Sequence, residues 1–133
     1  MRRSKRIVAA TLIAAFLMIG AAGTGYANEP TCHVSSAAPY CSYKGKVKRV
    51  YVNETGLILV YFDTPMPSGA PSSVGIGGVS NHAAGAVSYQ DKPEFANFLY
   101  STVLAAQTTE RDVQIQMRGT IGGYLKIDRI WTE

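Results

Sequence analysis

The stretch DKPEFANFLYSTVLAAQTTERDVQIQM, Asp91–Met117, decides the fold. Phe95, Phe98, Leu99, Thr102, Val103 and Ala106 recur at i, i+3, i+4, i+7, i+8 and i+11, the spacing of one stripe on a helix, so this stripe is expected in the core. Asp91 followed three residues later by Glu94 reads as an Asp version of a capping box, and Pro93 suits a first helical turn. Thr108 and Thr109 weaken the helix at its end. Val113, Ile115 and Met117 then alternate with Asp112, Gln114 and Gln116, which is a strand with one wet face.

Working outward, the run GYLKIDRIWT after the Gly122-Gly123 pair is a last strand, and the glycines supply the turn before it. Upstream, YKGKVKRVYVN from Tyr43 alternates in part and breaks alternation at Val50-Tyr51-Val52, which predicts a strand with a bulge or bend. Asn53-Glu54-Thr55-Gly56 is a turn, and LILVYFD from Leu57 is the second arm of a hairpin. Leu57, Leu59 and Tyr61 fall on one face of that arm, Ile58, Val60 and Phe62 on the other. Both faces are apolar, so the outer one needs a cover: the helix, a loop or another subunit. Asp63, Pro65 and Pro67 end the run. The Gly/Pro/Ser-rich segment that follows reads as a long loop with room for a short strand at Val74–Val79, and a third strand is expected at Ala84–Gln90. The fold class is therefore mainly β with one helix, in the order β-β-β-α-β-β. That is the order of a five-stranded OB-like barrel, an architecture that mostly binds rather than catalyses.

The chain starts MRRSKR, four positive charges, and no further charge appears before Glu29. Between them lie the 13 apolar residues Ile7–Ile19 and a small-residue stretch ending Gly25-Tyr26-Ala27, the pattern of a signal peptide, residues 1–27, cleaved after Ala27. The alternative is an uncleaved anchor, but a membrane span needs roughly 20 apolar residues. Domain organisation then reads as a signal peptide, an N-terminal disulfide segment at 28–42 and a barrel domain at 43–133. Removing those 27 of 133 residues leaves 106, about one small domain. Four of the 13 Lys and Arg go with it, leaving nine against nine Asp and Glu, so the formal net charge falls from +4 to zero. A neutral domain lacks the electrostatic footprint of a nucleic-acid binder. The expected location is exported, periplasmic or secreted, with no membrane association after cleavage.

Cys32 and Cys41 are the only cysteines, and in an exported chain an even, minimal count reads as one disulfide. His33 sits beside Cys32, but no second Cys-x-x-Cys or close His pair completes a zinc site, so no metal and no cofactor are expected.

The stretch PEFANFLYSTVLAAQTTERDVQIQMRG, a Gly-containing turn and KIDRIW resemble the helix and last two strands of small exported bacterial proteins, the pentamer-forming B subunits of AB-type toxins, in particular the subtilase-cytotoxin and typhoid-toxin B group. Gly45, Val47 and Val50 match the G-x-V-x-x-V pattern that opens that domain; Leu104-Ala105-Ala106, Val113 and Ile115 match its helix end and following strand. The resemblance spans about Gly45–Trp131 and implies glycan recognition, with a cell-surface glycoconjugate as partner, and a homo-oligomer, a pentamer in that group. None of the group's sugar-contacting residues or its disulfide maps onto this chain.

No catalytic constellation is present in the sequence: His33 and His82 are the only neutral-pH bases and neither lies in a nucleophile motif. A non-enzyme is expected. Lys44, Lys46, Lys48 and Arg49 are close enough to form a local basic patch, while Lys92 stands apart. Tyr43, Tyr51, Tyr61, Tyr89, Tyr100 and Tyr124, with Trp131, sit on predicted strands or the helix, whereas Tyr40 lies in the cysteine loop. Rings with an apolar face and a polar tip suit glycan or protein contacts, and at least half of these are expected to be packing. The alternative function is a periplasmic protein-interaction, inhibitory or structural module; an enzyme is third.

Overall fold

Gly45 divides the first predicted strand in two. Its φ of +155° and the position of its missing Cβ, 2.7 Å from the Tyr43 hydroxyl, leave room for no other residue. In the computed structural model, which describes residues 29–133, β1 (Thr31–His33) and β2 (Tyr40–Gly45) precede this bend, and β3 (Val47–Val52) follows it after Lys46 alone. The chain continues through β4 (Leu57–Phe62), the one-turn helix α1 (Ala70–Ser73), β5 (Ala84–Ser88), the long helix α2 (Pro93–Thr108), β6 (Val113–Ile121) and β7 (Tyr124–Thr132). All seven strands belong to one sheet, in the order β1-β2-β6-β7-β5-β4-β3. The fold is mainly β with a single long helix. The predicted signal peptide, 1–27, lies outside the described residues.

Neighbouring strands are antiparallel except β5 and β7, which run parallel with Gly85 opposite Leu125 and Ala86 opposite Lys126. The β3–β4 turn is Asn53–Gly56, as expected: the Asn53 side-chain oxygen accepts from the Leu57 N–H at 3.0 Å, and Gly56 takes a positive φ. The β6–β7 turn is Gly122-Gly123, both at positive φ, the conformation a two-residue hairpin turn demands. β1 joins the sheet through β2, with Cys32 directly opposite Cys41 and bonded to it as a disulfide. The Cys32 sulfur also lies 3.7 Å from the buried Met66 sulfur.

The core lies between α2 and the inner sheet face. Ala96, Leu99, Val103 and Ala106 of α2 meet a cluster that contains Val60, Phe62, Val87, Val113, Ile115, Met117, Leu125 and Ile127. Tyr43 stacks on Phe62 with ring centroids 4.4 Å apart, donates from its hydroxyl to the Lys46 carbonyl at 2.5 Å and accepts from the Asp63 N–H at 3.1 Å. This one side chain ties the bend to the end of β4.

Three expectations are corrected, and the expected architecture is met in its mainly β class with one long helix. The sheet has seven strands rather than five and its ladder is not closed into a barrel, because the bend at Gly45 splits one run and the cysteine segment adds β1. Phe98 is 72% exposed while Leu99 is fully buried. The buried stripe is 96/99/103/106, and Phe98 lies one residue, about 100° of helix rotation, off it. No capping box forms: the helix starts at Pro93, Lys92 is the N-cap without a side-chain cap bond, and Asp91 instead donates its N–H to the Ser88 hydroxyl. Residues 74–79 hold no strand, and the loop's regular piece is α1, started by the Gly69-Ala70-Pro71 sequence.

The second apolar face of β4 is covered within the subunit. Leu59 is buried with Ala84 and Ala86, and Leu57, Tyr61, Ile121 and Tyr124 pack around them as a cluster separate from the core. Among the described residues no helix is long and apolar enough to cross a membrane.

Candidate binding face

The outer face of β3, β4, β5 and β7 is built by alternation. Residues directly opposite one another in a ladder share a face, and here the pairs are Arg49 with Tyr61, Tyr51 with Leu59, Leu59 with Ala86, and Tyr61 with Ala84. Ala86 lies opposite Lys126 of β7, and Tyr124, two residues before it, takes the same side. Two buried alanines in the middle strand thus form a low floor, and Tyr61 and Tyr124 from the flanking strands pack against it. Val or Leu at 84 and 86 would fill the space these rings occupy. Gly122 brings the β6–β7 turn onto the same surface, since a Cβ there would lie 3.1 Å from Leu57 Cδ1.

Partial desolvation, followed by the neighbouring Tyr61 hydroxyl and the proximity of Tyr61 and Tyr51, holds the Tyr124 phenol above its ordinary pKa. Three tyrosine hydroxyls therefore share one patch, each able to donate and accept a hydrogen bond. Tyr51 is 48% exposed, so its ring presents area to solvent. The Arg49 guanidinium carbon lies 4.2 Å from the Tyr61 ring centroid, a cation–π contact. Beside this pair opens a cleft of about 440 Å³, lined by Lys48, Arg49, Tyr61, Phe62, Pro65 and Ala83. An aromatic face with hydroxyl tips and a basic end can stack on the apolar face of a ligand and hydrogen-bond its polar rim.

The structure distributes the other candidates elsewhere. Tyr43 is core. Tyr89 and Tyr100 line a second cleft, of about 350 Å³, with Val52, Ile58 and Asn97 beside α2. Tyr40 begins β2 and lies between the His33 ring, 5.0 Å away, and the Arg118 guanidinium, 5.8 Å away. Trp131 sits opposite Gln114 near the end of β7. The expected basic patch divides: Lys44 pairs with Glu133 and Lys46 with Asp112, each at 2.8 Å, while Lys48 and Arg49 line the cleft. Lys92 is the N-cap of α2. His82 offers its carbonyl to the Met66 N–H, and the His33 ring bonds the exposed Thr31 hydroxyl at 3.0 Å on the three-residue strand β1. Among the described residues no group of three or more His, Cys, Asp and Glu could hold a metal ion. Ala84, Ala86 and the hairpin position of Tyr124 were not singled out by the sequence, because LILVYF of β4 and AGAVS of β5 show no polar/apolar alternation that would mark an outer face.

No protein-family model, no curated protein and no solved structure matches this chain.

Proposed function

We propose that the chain is an exported, non-catalytic binding protein that recognises glycans on the outer face of β3, β4, β5 and β7. The observation that carries the reading is the grouping of Tyr51, Tyr61 and Tyr124 around the Ala84/Ala86 floor, with Arg49 stacked on Tyr61. Aromatic faces with hydroxyl tips suit the alternating apolar and polar surfaces of a pyranose. The disulfide is compatible with export.

An OB-like barrel is proposed as the architecture behind this placement. β2 and β3 are joined by Lys46 alone, β2 ladders with β6 and β3 with β4. Taken as two halves of one bent strand, they return the order to β-β-β-α-β-β, with β5 and β7 as the parallel pair. In OB folds the second and third strands and the two hairpin loops form the usual ligand surface; here these are β4, β5, the Asn53–Gly56 turn and the Gly122-Gly123 turn. The resemblance to toxin B subunits supports the same ligand class and a homo-oligomer, although the intrasubunit cover over Leu59 removes one reason for self-association.

The second reading, a protein-interaction module, draws on the cleft beside α2, where Val52 and Tyr89 are exposed next to Tyr100. A glycan-array screen of the mature protein and its Tyr61→Ala and Tyr100→Ala variants separates the two. Glycan retention lost with Tyr61→Ala and kept with Tyr100→Ala supports the proposal. No retention of any glycan by folded protein counts against it.

A further inference from the structure

Lys48 and Arg49 are consecutive residues of β3, and consecutive strand residues point to opposite faces. Here both line one cleft, with Tyr61, Phe62, Pro65 and Ala83. The register shift between Val47 and Arg49 is the reason: Val47 lies opposite Phe62 and Arg49 opposite Tyr61, so Lys48 is the extra residue of a bulge. Bulges re-aim side chains, and this one brings two cations to the same opening.

The charges around them are uneven. The described region carries nine basic and nine acidic residues, and Lys44, Lys46, Arg118 and Arg129 each lie within 4.0 Å of a carboxylate. Among the described residues neither Lys48 nor Arg49 forms an ion pair, and no carboxylate lines the cleft. Backbone donors at its edge are already spent: the Phe62 N–H bonds the Ala83 carbonyl, the Asp63 N–H bonds the Tyr43 hydroxyl, and Pro65 has none. The cleft's donors are thus the Arg49 fork, whose guanidinium carbon lies 4.2 Å over the Tyr61 ring, and the Lys48 ammonium.

We propose that this cleft binds a tetrahedral oxyanion, a sulfate or phosphate ester carried by the glycan that crosses the tyrosine face. The substrate class rests on the glycan reading above and narrows it. A carboxylate has two oxygens, and the Arg49 fork alone satisfies them. A sulfate or phosphate ester offers three, which engage the fork and the ammonium together. The sulfate and phosphate sources share this chemistry and are distinguished by the arms of the test.

The test measures binding of the mature protein to a heparin-derived hexasaccharide and to its desulfated, N-acetylated form, and to a phosphomannosyl oligosaccharide and its dephosphorylated form, at physiological ionic strength. At least one charged member is expected to bind about tenfold or more tightly than its stripped partner. The Lys48→Gln/Arg49→Gln double variant, at exposed positions, is expected to abolish that preference. Equal binding within both pairs, or a preference that survives the double variant, overturns the inference. So does a preference for a carboxylate-capped glycan or for a short oligothymidylate over both esters. Tyr124→Ala distinguishes the parent reading: it lowers binding of charged and stripped forms alike if the tyrosine face holds the sugar. A preference for the ester that persists with Tyr124→Ala having no effect upholds the cleft and removes the face.

Discussion

The Tyr43 hydroxyl donates to the Lys46 carbonyl from a position 2.7 Å from where a Gly45 Cβ would stand. Ring and glycine are therefore fitted to each other across the bend that turns β2 into β3. Tyr43→Phe leaves the Lys46 carbonyl and the Asp63 N–H without their partner and is expected to cost about 1–3 kcal/mol. Gly45→Ala adds a clash and a strained φ and is expected to cost at least as much. Urea denaturation of the two variants checks both, and unchanged midpoints would show that the bend does not depend on this pair.

Alkaline pH should weaken the same joint. Burial, the largest cause, raises the Tyr43 pKa above the ordinary 10.0. A group whose folded pKa is raised contributes stability that is fully present below the unfolded pKa and lost as pH rises through the folded one. Thermal midpoints are thus expected to hold up to about pH 10 and to fall above it, with the fall smaller in Tyr43→Phe. An equal fall in the variant would assign the alkaline loss to other groups.

The helix makes the sharpest contrast between two adjacent side chains. Leu99→Ala is expected to cost about 2–5 kcal/mol, whereas Phe98→Ala, at a mostly exposed site, is expected to stay within about 0.5 kcal/mol. A large loss from Phe98→Ala would mean that another surface covers this ring.

How far the chain can be read is visible in these residues. The helix and β6 were legible from their apolar periods, and β4, β5 and β7 from runs bounded by turn residues. Phe98 was misplaced because a six-position stripe is wider than the narrow face that two alanines, Ala96 and Ala106, let α2 bury. The division at Gly45 was hidden, since a glycine within an alternating run shows no φ until a partner such as Tyr43 fixes it. β1 carries three residues, too few for any period, and is placed by the disulfide and its pairing with β2. At the binding face the tyrosines were visible as residues, but their convergence depends on Ala84 and Ala86 being small, a property that reads as nothing in a sequence.

Reduction of Cys32–Cys41 is expected to lower stability by roughly 2–3 kcal/mol and to release β1 first. Hydrogen exchange in the presence of reductant reads this out: protection should be lost at Thr31–His33 and retained in β4 and β5. Uniform loss across the sheet would show that the disulfide supports the whole domain rather than its edge.

The most direct test of the glycan face is the map of backbone amide shifts when the mature protein is titrated with a glycan it retains. The changes are expected at Arg49–Tyr51, Leu57–Tyr61, Ala84–Ala86 and Tyr124–Lys126, on four strands that are neighbours in the sheet. Changes confined to α2 or to β1 and β2, with the four strands silent, would contradict it.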